Sequence, residues 1–313
     1  MDLPDGFGFR APGPDDLAAV ADVLIADQRQ DGVEPTIDGE YLRQLWGRPD
    51  FDLTTDAWVV AEAEGMIVGY GQVRRDEPDL VGSWGVVHPG FRSRGIGSAL
   101  FDRIELRAGE LLQGASPSRL RHALNAADRA AASMARDRGL RPIRHFWHMQ
   151  IDLDGPVAAG LPPPGIDITV SDVDKDLLAI HGILDSAFKD DPGDHPEPFG
   201  RWAEGQLTRP GYDPTLWFLA RDGGVAVGVL IASLGEDVGW VDWLAVLGQH
   251  RGRGVGSALL RHSFAALAYR GVERIRLNVD AENVTGATAV YEGVGMRTVN
   301  RWDLWERASS GGA

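Results

Sequence analysis

The sequence predicts a mixed α/β fold made of two tandem domains. Apolar runs with the two-residue period of strands alternate along the chain with runs that have the spacing of helices. The segment Arg92–Gly97 recurs as Arg251–Gly256, 159 residues later, which indicates an internal duplication. A proline-rich segment, residues 156–165, has the composition of a semi-rigid linker. We therefore expect one domain over residues 1–155 and a second over residues 166–307.

In the first half, the pattern predicts a strand, two helices, a hairpin and a further strand before the repeated segment. Asp15 and Asp16 are favoured helix caps, and His88-Pro89 ends a strand because proline cannot join a ladder. A helix, a strand, a second helix and a closing strand follow. The predicted ranges are strand 8–10, helices 17–28 and 36–46, strands 57–62, 67–73 and 80–87, helix 98–112, strand 120–124, helix 126–138 and strand 143–153.

The second half repeats this order. Asp172 is a favoured cap for its first helix, and Asp222-Gly223-Gly224 has the composition of a hairpin turn. The predicted ranges are strand 166–170, a helix capped by Asp172 that reaches Phe188, a loop over 189–198, a helix through Trp202 and Leu207, strands 216–221, 225–234 and 238–247, helix 255–270, strand 274–279, helix 284–292 and strand 298–306. Residues 308–313 are expected to be a disordered tail.

The composition is that of a globular protein of 313 residues, with 43% hydrophobic and 25% charged residues. A formal net charge of −15 argues against nucleic acid as a partner, because phosphates call for a basic surface. No apolar run approaches the ~20 residues that cross a membrane, and the first residues lack the pattern of a signal peptide. The chain has no cysteine, which excludes disulfides and thiolate metal sites and fits a cytoplasmic protein.

The repeated segment has the features of an anion-binding turn. Each copy follows an apolar run and precedes a helix, so unpaired N–H groups and the positive end of the helix dipole point at one place. The glycines allow positive φ and a concave nest of amides, and the arginines add charged donors. One such segment is equally compatible with a basic surface turn. Two copies in equivalent settings favour the binding of a pyrophosphate.

The pattern Arg-x-x-Gly-x-Gly after a strand resembles the acetyl-CoA signature of the GCN5-related N-acetyltransferases, the GNAT family. Residues 283–296 resemble that family's closing motif, with an asparagine, an alanine-bearing helix and then Tyr291-x-x-x-Gly295. The duplication is similar to that of tandem GNAT proteins. The resemblance implies two GNAT domains, acetyl-CoA as the cofactor, and transfer of an acetyl group to a primary amine of a small molecule or peptide.

Acetyl-CoA is expected to bind at one or both copies. The turn would hold the pyrophosphate, the strand before it would present main-chain groups to the pantetheine arm, and the resemblance implies that Val246 N–H faces the thioester oxygen. Asn283 would contact the pantetheine or act only as a helix cap. The predicted contacts are Leu244, Ala245, Val246, Arg251, Gly252, Arg253, Gly254, Val255, Gly256, Ser257 and Asn283, and in the first half Val87, Arg92, Arg94, Gly95, Ile96, Gly97 and Ser98.

Direct attack of the amine on the thioester is the expected route, since the chain has no cysteine. The resemblance implies that Tyr291 lies near the CoA sulfur, where its phenol, with a reference pKa of ~10, would protonate the leaving thiolate. Asp242 is the candidate base because the two-residue period of a strand puts it on the same face as Val246. A carboxylate hydrogen-bonded at a strand bulge explains Asp242 equally. Three histidines remain alternatives: His181, His195 and His262.

The acceptor is expected to lie beside the loop between the first two helices of the second half. Carboxylates next to aromatic rings suit a cationic amine, although a solvated acidic loop over core tryptophans has the same composition. The predicted contacts are Asp191, His195, Trp202 and Trp240.

The first half lacks counterparts of both candidate catalytic residues. Ser83 stands where Asp242 does, and aligning the Gly-Leu pair at 139 with the Gly-Met pair at 295 puts Ala135 at the position of Tyr291. We therefore expect catalysis in the second half, with the first half structural or CoA-binding.

Two other classes of protein are compatible with parts of the sequence. A dinucleotide-binding oxidoreductase needs Gly-x-Gly-x-x-Gly in an early βαβ unit, and the glycine spacing at 252–256 does not match. A non-catalytic acyl-CoA sensor remains open. The oligomeric state is also open, since the two domains could form an internal pseudo-dimer.

Overall fold

The computed structural model describes residues 3–30, 35, 39–48, 50–189, 198–209, 212–235, 238–282 and 286–309. Strands and helices alternate through both halves, so the predicted mixed α/β class is confirmed. No helix in these ranges is long and apolar enough to cross a membrane.

The element order follows the predicted one. The helices are α1 (Leu17–Gln30), α2 (Gly39–Trp46), α3 (Ile96–Leu111), α4 (Arg129–Asp137), α5 (Val173–Phe188), α6 (Phe199–Thr208), α7 (Val255–Tyr269) and α8 (Ala287–Gly293). The strands are β1 (Phe7–Arg10), β2 (Ala57–Glu62), β3 (Ile67–Glu77), β4 (Leu80–Val87), β5 (Ser118–Asn125), β6 (Arg141–Asp152), β7 (Ile166–Val170), β8 (Trp217–Asp222), β9 (Val225–Leu234), β10 (Gly239–Val246), β11 (Arg274–Asp280) and β12 (Arg297–Ser309). The last strand reaches two residues into the predicted tail, and 310–313 lie outside the described residues.

The chain forms two compact units, and each draws residues from both halves of the sequence. The first unit holds the chain up to Trp147, the short segment Asp280–Glu282 and the part of β12 from Val299 onward. Its strands are ordered β1-β2-β3-β4-β5-β12, and β12 pairs with β5 from Trp302 to Ser309. A division at the linker therefore differs from these units, because the last strand of the sequence is hydrogen-bonded to a strand of the first half.

The second unit contains His148–Val279 and the segment around α8. The last residues of β6, 148–152, belong to it, and its strands follow the order β6-β11-β10-β9-β8-β7. Strand β6 comes from the first half of the sequence. The sheet of the second unit is thus completed by a strand that precedes the linker.

Two helical layers enclose the strands of the second unit. On one face, side chains of β8, β9 and β10 form a core with α5 and α6 that includes Ile180, Trp217, Ile231 and Ala245. On the other face, glycines let α7 approach the strands closely. A Cβ on Gly239 would lie 2.7 Å from Leu267 Cδ1, closer than packed atoms come. The packing therefore fixes β10 between the two layers.

Gly239→Ala is expected to lower the free energy of unfolding by about 1–3 kcal/mol, because the added methyl group overpacks the fully buried Leu267. Gly248→Ala is the matched control, since a Cβ there meets nothing within 4 Å, and its effect should stay within about 0.5 kcal/mol. Urea unfolding followed by tryptophan fluorescence measures both. Equal stability of the two variants would contradict this packing.

Candidate active site

The two glycine turns share one backbone conformation. Gly254 is the N-cap of α7 at φ 82°, and Gly95 is the N-cap of α3 at φ 87°. Two residues earlier, Gly252 has φ 71° and Ser93 has φ 61°. The first intrahelical bond of α7 runs from Ala258 N–H to Gly254 O, 3.0 Å. The N–H groups before Ala258 are therefore free of helical partners, and the turn has the donors of an anion cradle.

The arginines of the second turn have different partners. Arg251 Nε donates to Val246 O at 3.0 Å, and Arg251 Nη2 lies 3.4 Å from Ala187 O. Arg253 forms an ion pair with Asp222, 2.8 Å. Within the described ranges, Arg251 has carbonyl partners and no carboxylate partner. Its positive charge is thus available to an anion at the turn.

In the first turn, the first arginine is the one paired with a carboxylate, whereas in the second turn it is the second arginine. Arg92 Nη2 lies 2.5 Å from Asp27 Oδ1, and Asp128 is 3.9 Å away. Arg94 donates to Gly90 O at 3.1 Å and stacks over the Phe91 ring. The first arginine of this turn is therefore neutralised, and the second is the one without a carboxylate partner among the residues described.

Strands β10 and β11 separate soon after they start. Their described register consists of Gly239↔Ile275 and Trp240↔Arg276. On the other side of β10, the register with β9 shifts between Val241 and Trp243, which places a β-bulge at Asp242. In the first unit, β4 and β5 stay paired as far as Trp84↔Ala123. The second unit therefore has a longer opening between its parallel strands.

Main-chain groups at the end of β10 point into this opening. Leu247 N–H donates to Val227 O at 3.0 Å, so these opposed residues form a hydrogen-bonded pair. The alternation of an antiparallel ladder then turns the N–H and C=O of Val246 and Leu244 away from β9. Ala245 differs, since its main chain faces β9 and its side chain is buried. Val246 N–H therefore faces the opening between β10 and β11.

The expectation that Asp242 shares the face of Val246 is wrong, because the bulge interrupts the two-residue period. Its carboxylate accepts hydrogen bonds from Ser233 Oγ at 3.1 Å and Arg209 Nη2 at 3.0 Å. Burial raises the pKa of Asp242, while Arg209 and Ser233 act in the opposite direction. Only 22% of the side chain is exposed. Sequence periodicity gave no signal for Arg209 as its partner.

Tyr291 lies on α8, next to the turn. A Cβ on Gly256 would lie 3.5 Å from Cγ1 of the adjacent Val290, which places α8 against the start of α7. The Tyr291 side chain is buried, and burial raises its pKa to about 12. The phenol is therefore protonated at neutral pH, the form that a general acid requires.

The other predicted site residues lie in the core, beside the opening, on α7 or outside the described residues. Trp202 is 7% exposed and packs in the core with His181, so little of its surface is free for a substrate. Trp240 is partly buried beside the opening. His262 Nδ1 contacts Ala258 O in its own helix. The predicted contacts Asn283, Asp191 and His195 lie outside the described residues.

A polar pair that the sequence did not predict occupies the matching place in the first unit. Ser83 Oγ donates to Arg121 O at 2.7 Å and lies 2.8 Å from His122 Nδ1. His122 is fully buried, and burial lowers its pKa to about 3. Ser83 and His122 are also opposed in the strand register. Neutral side chains thus link β4 and β5 at the position where β10 and β11 have separated.

Two family models match the chain. The "Acetyltransferase (GNAT) family" model matches residues 179–296, and the "Acetyltransferase (GNAT) domain" model matches residues 54–135. A mycothiol acetyltransferase from Thermobispora bispora is 32% identical over 308 residues, which cover 93% of this chain and 95% of the relative. The chain belongs to the GNAT family. It is therefore an acetyltransferase, and GNAT acetyltransferases use acetyl-CoA as the acyl donor.

Other GNAT proteins match the whole chain. A mycothiol acetyltransferase from Salinispora arenicola is 30% identical, with 92% of this chain and 91% of the relative covered. The crystal structure of a GCN5-related N-acetyltransferase from Sphaerobacter thermophilus has a TM-score of 0.86 and 32% identity, covering 100% of this chain and 98% of that one. A tandem GNAT protein from the clavulanic acid biosynthesis pathway has a TM-score of 0.70 over 98% of this chain and 99% of that one, and at 19% identity it shows the fold alone. The predicted tandem GNAT fold is confirmed.

Ser93→Gly is expected to stabilise the chain slightly. Left-handed backbone costs a non-glycine residue about 1–2 kcal/mol, which exceeds the extra unfolded-chain entropy of about 0.4–1 kcal/mol that glycine brings. Ser98→Gly is the matched control, because Ser98 lies in the first turn of α3, where glycine is about 0.5 kcal/mol worse. Thermal unfolding should move the midpoint up for the first variant and down for the second, and shifts of the same sign would contradict the left-handed turn.

Proposed function

We propose that this GNAT chain is an N-acetyltransferase whose second half transfers the acetyl group of acetyl-CoA to a primary amine of a small molecule. The observation that carries the proposal is the opening between β10 and β11, which lies beside the Gly254 turn and the Tyr291 helix. We assign the first half a structural or CoA-binding role.

The donor would be held by main-chain and charged groups already in place. Free N–H groups at the start of α7 and the Arg251 guanidinium suit the pyrophosphate. Val246 N–H and Leu244 N–H face the opening and suit the pantetheine arm and the thioester oxygen. Bound acetyl-CoA supplies an activated acyl group on sulfur.

Asp242 is the proposed proton acceptor. The amine nitrogen forms a bond to the acyl carbon while the carbon–sulfur bond breaks, and the amine releases a proton to Asp242 directly or through water. A carboxylate whose pKa is raised by burial accepts a proton more readily than an exposed one. Arg209 holds the carboxylate in position and limits that rise.

Tyr291 is the proposed proton donor to the leaving thiolate. Its helix adjoins Gly256, and its buried phenol keeps its proton at neutral pH. The first half, which is not expected to be catalytic, has an alanine at the position that corresponds to Tyr291. Met296 N–H donates to Tyr291 O at 3.1 Å and Leu140 N–H donates to Ala135 O at 3.0 Å, so the two turns correspond and alanine takes the tyrosine's place.

The acceptor class is proposed from the relatives. Several relatives that align over more than nine-tenths of their length are named mycothiol acetyltransferase, and a cysteinyl glycoside is a primary amine of the small-molecule class that the resemblance implies. A cationic amine also suits the Asp242 carboxylate. We therefore propose a cysteinyl glycoside amine as the acceptor, which makes the chain a mycothiol-synthase-like acetyltransferase.

A non-catalytic acyl-CoA sensor is the second candidate. The first turn favours this candidate, because it repeats the conformation of the second turn and its Arg94 has no carboxylate partner among the described residues. The first half also has no counterpart of Tyr291. A sensor would bind acetyl-CoA and form no acetylated product with any amine.

Tyr291→Phe is expected to lower kcat by about 10²-fold or more, since general acid catalysis contributes about 10²–10⁴-fold, with little change in acetyl-CoA affinity. Tyr269→Phe is the control, because that side chain is 92% exposed. Mass spectrometry of acetylated product with L-cysteinyl-glucosamine, L-cysteinamide and spermidine measures transfer. Binding of acetyl-CoA by the wild type without product from any amine would favour the sensor.

Arg251→Ala is expected to weaken acetyl-CoA binding in the second half by about 10–100-fold, as charged hydrogen bonds contribute about 1.5–3 kcal/mol. Arg92→Ala is the matched variant, since Arg92 is already paired with Asp27, and it should leave that affinity unchanged. Titration calorimetry gives the Kd and the number of sites. Wild-type affinity in Arg251→Ala would contradict the proposed pyrophosphate site.

A further inference from the structure

A buried histidine beside the opening has one ring nitrogen without a hydrogen-bond partner in the described ranges. His148 lies on β6 and is 4% exposed. Its Nδ1 is 2.8 Å from Asn278 Oδ1, which accepts hydrogen bonds, so Nδ1 carries the proton and Nε2 carries a lone pair. Nε2 is buried and has no hydrogen-bond partner among the residues that the structure describes. A buried acceptor without a partner destabilises the protein unless a water or a ligand donates to it.

His148 is neutral under physiological conditions. Burial lowers its pKa to about 4, and the neighbouring Arg276 acts in the same direction, while Asn278 opposes the shift. Arg276 itself is bound by Gln150 Oε1 at 2.7 Å. A neutral imidazole with its proton on Nδ1 accepts one hydrogen bond at Nε2 and donates none there.

Three observations place His148 at the base of the opening. Its ring packs edge-on against Trp240, with 5.3 Å between the ring centres. Trp240↔Arg276 is the last pair before β10 and β11 diverge. Asn278 follows Arg276 by two residues and is exposed, so the hydrogen-bonded end of the imidazole lies at the edge of solvent.

Asp242 lies on the same face, across the opening. It is bound to Ser233, the cross-strand partner of Trp240, and paired residues in a sheet share a face. Trp240 in turn contacts His148. The face therefore carries a carboxylate on β10 and a hydrogen-bond acceptor on β6, with Trp240 between them.

We propose that His148 Nε2 accepts a hydrogen bond from the acceptor substrate and is a further substrate-binding residue, with Asn278 as its positioning residue. The ligand class is an amine that carries a second donor, a hydroxyl or amide N–H, near the nitrogen that is acetylated. This inference rests on the proposed amine acetylation. It also adds acceptor binding to the roles proposed for the first half of the sequence, because β6 precedes the linker.

Two substitutions separate the acceptor role from a structural one. His148→Asn keeps a donor for Asn278 Oδ1 and removes the acceptor at Nε2, whereas His148→Gln places an amide oxygen near Nε2 and gives up the bond to Asn278. With L-cysteinyl-glucosamine, His148→Asn should raise the acceptor KM about 5–150-fold, the effect of leaving a buried donor of the substrate without its partner, about 1–3 kcal/mol. His148→Gln should recover most of that loss.

The acetyl-CoA Kd should be the same in both variants and the wild type, whereas His148→Gln, which gives up the bond to Asn278, should have the lower unfolding midpoint of the two variants. An unchanged acceptor KM in His148→Asn would overturn the inference. So would a rise in acceptor KM that is matched by an equal rise in the acetyl-CoA Kd. Nitrogen-15 histidine spectra of the CoA complex provide a readout without turnover. Adding L-cysteinyl-glucosamine should move the Nε2 signal of His148 toward the hydrogen-bonded range, and an unmoved signal would overturn the inference. Absence of transfer by the wild type would instead count against the proposed function.

Discussion

The separation of β10 from β11 is the constraint on which the rest of the site depends. Parallel strands normally satisfy each other's N–H and C=O groups along their length. Here the bulge at Asp242 shifts the register on one side of β10, and the described pairing with β11 stops after Trp240. The N–H and C=O groups of β10 that face β11 beyond Trp240 can therefore bind another molecule, and they lie next to the turn that begins α7. A linear, amide-bearing molecule such as a pantetheine arm matches those groups.

The first unit shows what the same sequence pattern gives without the separation. Its glycine turn has the same φ values, and the same hydrogen bond closes the turn after α4 as after α8. Strands β4 and β5 nevertheless stay paired through Trp84, and Ser83 and His122 form a buried contact between them. The two units thus share the backbone conformation of the glycine turn, while an extended opening is a property of the second.

The two halves of the chain exchange the strands that close their sheets. Strand β12 completes the sheet of the first unit, and the end of β6 completes that of the second. Each unit therefore contains residues from both halves of the chain. Side chains of β6, among them His148 and Gln150, consequently face residues of β11 that follow them by more than 120 positions. A second half expressed from the linker onward would lack these β6 side chains.

The sequence by itself determined the element order, the tandem repeat and the two glycine turns, because periodicity, proline positions and the Arg-x-x-Gly-x-Gly spacing are local properties. The family resemblance gave Tyr291 as a candidate and the two-residue period gave Asp242, although the face expected for Asp242 was wrong because a two-residue period cannot register a bulge. The tertiary structure alone decided where β10 and β11 part, which strand closes each sheet, and that Arg209, Ser83 and His148 lie beside these positions. Those features depend on hydrogen bonds between strands far apart in sequence, and such pairing leaves no mark on the spacing of residues within either strand.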